Sequence, residues 1–286
     1  MYLIPGINKE DHDNYVLYFI ENISDELKQE IRNRLATICY GVDSTQSNYA
    51  IYSYEETVKD FIHRYKTQKD KSESRKKGMI GELLVHIILE LEGKYSTASP
   101  FFNMEEGSFK KGFDIVLFEE DSKELWITET KSGGIQKNQK NANSAVSGLI
   151  NTAKNDLKTR LNNNEKKLWL NALNAVRIYM GDSDHQKQVV LQLLGEISNN
   201  VVKQTTSSNQ FNVVLSSVLF HPLSDSMENT TIEKKYSDVV KEKLFNKTFI
   251  IAIQKNTYTA VYNFLESEIQ NEVWIKHRKK IKKRPH

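Results

Sequence analysis

Glu129-Thr130-Lys131 closes a short apolar run, Leu125–Lys131 (LWITETK), and this is the part of the chain best suited to chemistry. Alternation along an extended strand puts Leu125, Ile127, Glu129 and Lys131 on one face, with Trp126, Thr128 and Thr130 on the other. A second apolar run, Phe113–Phe118 (FDIVLF), carries Asp114 on the same face as Val116 and Phe118. Pairing the two runs brings Asp114 beside Glu129, with Lys131 next to them. Carboxylates so close repel each other, and a hard divalent cation lets both stay ionised. Mg²⁺ suits the set best, because it accepts oxygen ligands, needs few protein groups and keeps waters able to attack a phosphate. The alternative is a cross-strand salt bridge at a sheet edge.

Spelling alone does not single out this tripeptide. An acid-x-Lys pattern also occurs at Glu26–Lys28, Asp121–Lys123, Asp156–Lys158, Glu165–Lys167 and Glu233–Lys235. Those copies fall in predicted helices or polar turns, where charges stay solvated. Only Glu129–Lys131 ends an apolar strand, where acids are seldom left unpaired.

The elements that must position these groups read as follows. Tyr15–Ile20 (YVLYFI) is a buried strand. Ser24 caps a helix with Asp25 and Glu26 in its first turn, Leu27, Ile31, Leu35 and Ile38 on one face, and Gly41 at its end. Tyr54–Tyr65 is a helix with Val58, Phe61, Ile62 and Tyr65 inward, and the basic stretch Lys66–Lys77 marks a boundary. Gly78–Glu92 is a helix ended by Gly93 and apolar nearly all round, as a helix between layers is. Glu82 lies on it, level with Val85 and Leu89, and a carboxylate buried there needs a partner or a cation. The runs 113–118 and 125–131 form a hairpin across a polar joint. Helices follow at Asn141–Leu161, Glu165–Tyr179 and Gln186–Ile197. Phe211–Phe220 and Thr248–Ile253 are strands, and Tyr258–Ile275 is a closing helix. This is a mixed α/β pattern.

Gly81-Glu82, Lys111-Gly112-Phe113-Asp114 and Trp126–Lys131 together resemble the core of the PD-(D/E)XK nucleases. More narrowly, the GE helix, the K-G-x-D strand start and the L-W-x-x-E-x-K strand resemble the nuclease subunit of Hachiman-type antiphage defence systems, the HamA family. The motifs span Gly81 to Lys131, and the implied core extends to about Phe220. Phe113 departs from the proline of the superfamily name. Ser132-Gly133-Gly134 follows the motif where aromatics are more familiar, which leaves the local substrate contacts open. The resemblance implies a restriction-endonuclease-like core with an N-terminal α+β extension, divided as 1–70 and 71–286. The second part would carry a helical insertion and a basic C-terminal tail. The resemblance also implies that Asp114, Glu129 and the carbonyl of Thr130 ligate Mg²⁺ or Mn²⁺. Lys131 would orient or help deprotonate the attacking water, and Glu82 would complete the site through a water or a second metal. The substrate would be DNA, its backbone met by Lys137, Lys140, Lys154 and Lys158, with Arg160 on the same helix. With no ATP motif in the chain, helicase power would come from a partner subunit. Two other readings stay open: a non-catalytic nucleic-acid-binding subunit, and a stand-alone restriction-type endonuclease.

Composition fits this reading without requiring it. The 286 residues carry 40 Lys+Arg and 37 Asp+Glu, a net +3. Lys276–His286 holds seven Lys/Arg and no acid, so the rest of the chain is at −4. A second basic cluster spans Arg64–Lys77. Such runs suit phosphate contact or a solvated surface. The single cysteine, Cys39, excludes an internal disulfide and a thiolate-rich zinc site and reads as a buried structural thiol. Gly107–Gly112 (GSFKKG) imitates half a phosphate loop, but Phe113-Asp114 follows where Lys-Ser/Thr is needed. The seven histidines show no zinc spacing, and His86, one turn after Glu82, reads as an interior residue. With no apolar run of membrane-spanning length and no leader pattern in Met1–Lys9, a cytoplasmic protein is expected.

Overall fold

Strand residues that alternate between two apolar clusters need helices on both faces of one sheet, and that is the architecture. The computed structural model describes residues 1–47, 49–67, 72–101, 112–181 and 185–282. In chain order the elements are β1 (Tyr2–Ile4), β2 (Ile7–Asp11), β3 (Tyr15–Ile20), α1 (Asp25–Tyr40), α2 (Val42–Gln46), α3 (Tyr54–Thr67) and α4 (Glu73–Glu92). Then come β4 (Ser96–Thr97), β5 (Ile115–Glu119), β6 (Glu124–Gly133), α5 (Ala142–Asn162), α6 (Lys166–Tyr179) and α7 (His185–Val202). The chain continues through β7 (Asn212–Phe220), α8 (Asn229–Lys241), β8 (Lys247–Lys255) and α9 (Thr259–Lys282).

The eight strands form one sheet in the order β1-β2-β3-β8-β7-β6-β5-β4. Its centre, β3-β8-β7-β6, is parallel, and antiparallel pairs extend it on both sides. Parallel strands are covered on both faces and so read as continuous apolar runs. All nine residues of β7 are accordingly buried. One face packs Trp126, Val214, Val218 and Ile251 beneath α1, α3, α4 and α9. The other packs Val116, Ile127, Leu215 and Ile250 beneath α5, α6, α7 and α8. Residues 1–70 and 71–286 thus share a single sheet through the β3–β8 pair.

Several expectations are met at residue level. β3 spans Tyr15–Ile20, and Ser24 caps α1 by accepting from the Leu27 N–H at 3.1 Å. Gly41 ends that helix at φ 89°, a conformation open to glycine. Two kinds of difference stand out. α4 starts at Glu73, not Gly78, because Ser72 caps it, so Arg75–Lys77 belong to the helix and not to a linker. The hairpin β1–β2 and the helix α8 were not expected from the sequence.

Gly81 is where α4 meets the sheet. A Cβ placed there would lie 2.7 Å from the Cβ of Ser132 on β6 and 3.3 Å from that of Val218 on β7. Glycine lets the helix approach this closely, and small residues on β6 receive it. Gly81→Ala is expected to destabilise the fold by about 1–3 kcal/mol, with partial recovery in Gly81→Ala/Ser132→Gly. Urea denaturation checks this, and an unchanged midpoint in the single variant would contradict it.

Candidate active site

The hairpin register sets the site. Ile115 pairs with Thr128 and Val116 with Ile127, so Asp114, one residue before β5, falls opposite Glu129. The Thr130 N–H donates to Asp114 Oδ2 at 2.7 Å and fixes that carboxylate. Glu129 is only 2% exposed. Its Oε1 accepts from Lys131 Nζ at 2.8 Å, and its Oε2 from Arg160 Nη1 at 2.5 Å. Lys131 Nζ also meets Asp156 Oδ2 at 2.8 Å. The sequence reading therefore paired the correct strands and faces for Asp114, Glu129 and Lys131.

Helix α5 supplies the other half. Asn141 caps it by accepting from the Ser144 N–H, while Asp225, after β7, accepts from the Ala142 N–H. Ala145, Ala153, Leu157 and Leu161 pack it on the sheet. Asp156 and Arg160 lie one turn apart, four residues in sequence, so they meet Lys131 and Glu129 in an alternating set of charges. Arg160 also donates through Nη2 to the carbonyl of Gly112. Its guanidinium lies over the Phe113 ring, 5.7 Å from the centroid. Phe113 is anchored edge-on against Trp169 of α6 at 4.9 Å. The residue that stands in place of a proline thus holds the approach to Asp114 by aromatic packing.

Asp156 and Arg160 are the groups that sequence reasoning missed as site residues. By position alone Arg160 suits a phosphate contact and Asp156 a solvated helix face. The available signal was their spacing, because an acid and a base one helical turn apart complement Lys131 and Glu129 at alternate strand positions.

Burial pushes the Asp114 carboxyl up to about 7, and the Glu129 charge adds to that effect. The Thr130 N–H, Arg160 and Lys131 pull the other way without cancelling it. Burial on its own would lower Lys131, but Glu129, Asp156 and Asp114 more than reverse that, leaving its ammonium above the ordinary lysine range. Lys131 therefore keeps its proton at neutral pH. In that state it can neutralise charge or donate a proton.

The other expected residues are placed differently. Glu82 is partly buried on α4, which covers the face of the sheet opposite to Glu129 and Lys131. Among the described residues no three His, Cys, Asp or Glu side chains form a group that could hold a metal ion, so Glu82 does not join Asp114 and Glu129 in one cluster. Lys154, expected at a phosphate, is instead buried and bonded to Glu242 Oε1 at 2.6 Å, because its position on α5 points it toward the end of α8. Lys137, Lys140 and Lys158 are exposed. In the Arg64–Lys77 cluster, Arg64 pairs with Asp60, Lys66 with Glu266 and Lys77 with Glu73. Lys69, Lys71, Lys111, Gly107–Lys111 of the phosphate-loop look-alike and the basic side chains of Lys276–Arg284 lie outside the described residues. His86 is fully buried with its ring edge-on to Phe101, and Cys39 is buried with its thiol pushed up by that burial.

Asp114, Glu129 and the Thr130 carbonyl are oxygen donors of the kind a hard divalent cation takes. Three acids (Asp114, Glu129, Asp156) face two bases (Lys131, Arg160), so the set retains a negative charge when all are ionised. In donor chemistry and charge the residues fit such an ion.

Fold and site together define a mixed α/β protein with paired acids and a lysine on a central hairpin, clasped by one helix. A family model described as HamA matches residues 4–269, from β1 into α9, and the chain belongs to the HamA family. That family suggests a role in antiphage defence. No curated protein matches the chain. No helix among the described residues is long and apolar enough to cross a membrane.

The raised Asp114 sets a pH dependence. Folded Asp114 titrates near 7 and an unfolded aspartate near 4, so the folded state binds more protons between those values. In metal-free buffer this group's contribution to stability should fall as pH rises from 5 to 8. Asp114→Asn should flatten the slope relative to the parent. Urea denaturation at pH 5, 6.5 and 8 with a chelator checks this, and parallel profiles for the two proteins would contradict it.

Proposed function

We propose that this protein is a divalent-metal-dependent nuclease that hydrolyses DNA phosphodiester bonds in antiphage defence, on a restriction-endonuclease-like core. The observation that carries the reading is the juxtaposition of Asp114 and Glu129 across the hairpin, with Lys131 bonded to Glu129. Asp114, Glu129 and the Thr130 carbonyl would hold Mg²⁺ or Mn²⁺, which when bound polarises the phosphate and makes water a better nucleophile. Lys131 faces the same side as Glu129, and its retained ammonium would offset negative charge developing on the phosphate. The exposed Lys137, Lys140 and Lys158 border α5 and suit backbone contacts with DNA. Glu82, carried by the helix on the opposite face of the sheet, takes no direct part in this reading.

A helicase subunit of the same defence system would govern access to this site, as the family resemblance implies. The chain itself has no ATP motif. A nuclease carried by an uninfected cell needs restraint, so cleavage should rise when the helicase and ATP are supplied. Equal cleavage with and without them would remove this regulatory element.

One observation favours a second reading. Both carboxylate oxygens of Glu129 already have cationic partners, so the cluster could serve as a salt-bridge network in a non-catalytic nucleic-acid-binding subunit.

Cleavage assays separate the two. With Mg²⁺ or Mn²⁺ and the helicase partner present, the parent protein should cut DNA and a chelator should stop it. Glu129→Ala and Lys131→Ala should each lower cleavage by at least about 10²-fold, with circular dichroism unchanged. Cleavage retained by both variants would exclude the proposed roles. No cleavage in either metal, with DNA binding indifferent to both, would favour the second reading.

A further inference from the structure

The guanidinium of Arg160 bonds the same carboxylate that the metal reading gives to an ion, and this points to a role beyond simple pairing. It spans the Glu129 carboxylate on β6 and the Gly112 carbonyl just before Asp114, so it collects oxygen acceptors from both sides of the hairpin. Of these, Glu129 is also an acceptor that a hard cation beside Asp114 would seek. We propose that Arg160 is a resident counter-cation that holds Glu129 in the metal-free protein and competes with the divalent ion for it. The proposal rests on the nuclease reading and adds to it a built-in block on metal loading.

Three observations support competition over simple support. First, Glu129 is nearly inaccessible and has a cation on each oxygen, so an incoming ion meets a positive charge at either one. Second, the two cations differ in how firmly they are held. Lys131 is tied to Glu129 and Asp156 together, so its release would unpair two acids. Arg160 has one acidic partner and a neutral carbonyl. Third, Arg160 has somewhere to go. It lies in the last turn of α5, its side chain is 30% exposed, and the ring of Phe113 lies against the guanidinium. Its planar fork suits a phosphate as well as a carboxylate, so a nucleic-acid backbone entering along α5 could accept the displaced group. Loss of Arg160 would leave three acids facing one base, which strengthens attraction for a divalent ion.

If Arg160 instead only positioned Glu129, its removal would weaken metal binding, so the sign of the change decides between the roles. Calorimetric titration of the full chain with Mn²⁺ provides the readout, independent of cleavage. Arg160→Gln should bind Mn²⁺ at least about tenfold more tightly than the parent, with Arg160→Lys between them. Arg160→Gln/Glu129→Gln should lose the gain. Equal or weaker binding by Arg160→Gln, with the parent binding measurably, would overturn the competition while leaving the metal site intact. Absence of Mn²⁺ binding in the parent and both single variants would overturn the metal reading and the competition with it.

A second measurement uses the unmodified protein and does not depend on a variant folding. Bonded on both Nη atoms, the Arg160 guanidinium should rotate slowly and give separate Nη resonances in metal-free solution. Saturating Mg²⁺ should merge them as the group is released. Resonances unchanged at saturation would contradict displacement.

Discussion

Two carboxylates cannot be placed side by side in a protein interior unless positive charge accompanies them, and much of this structure answers to that constraint. Asp114 and Glu129 are opposed by the register of β5 and β6. The rise in the Asp114 pKa measures what remains unbalanced after Thr130, Lys131 and Arg160 have contributed. Helix α5 delivers the compensation, with Arg160 to Glu129 and Asp156 to the lysine between them. Its apolar stripe, its Asn141 cap and its tether to Asp225 therefore do more than pack a helix. They set the electrostatics of the neighbouring strand. A network of this sort is a weak source of stability compared with an apolar equivalent, so its presence argues for use.

The sheet gives the site its rigidity. β6 is hydrogen-bonded along most of its length to β7 on one side and β5 on the other, so Glu129 and Lys131 stand on a strand that cannot slip without turning its charges to the wrong face. The parallel centre extends through β8 to β3, which integrates the N-terminal strands into the unit that bears the site. The family match beginning in β1 agrees with that integration. On the opposite face, α4 approaches through Gly81, which brings Glu82 close to the sheet without inserting it among the acids.

Much of this was legible in the sequence where a strong local signal acted alone. Ser24 and Gly41 marked the ends of α1, the run YVLYFI marked β3, and the alternation of LWITETK identified the face of Glu129 and Lys131. Legibility failed where the deciding interaction was distant. The burial of Lys154 depends on Glu242, 88 residues away. The role of Arg160 depends on a strand 31 residues earlier, and its helical spelling is that of any solvated surface. The β1–β2 hairpin is half exposed and gains its strand character by pairing with β3, which no local apolar run announces. α8 buries only Ile232 and Val239, too thin a stripe to stand out among polar residues. The start of α4 was hidden by charges that a helix tolerates in its first turns.

In the proposed reading, the buried acids of this hairpin form a metal site guarded by a displaceable arginine. This reading is tested most directly by anomalous diffraction from crystals of the full chain soaked in Mn²⁺ at pH 8. A manganese peak is expected within about 2.2 Å of carboxylate oxygens of Asp114 and Glu129, with Arg160 turned away from Glu129. Crystals that show manganese elsewhere or nowhere, with Arg160 still bonded to Glu129, would contradict it.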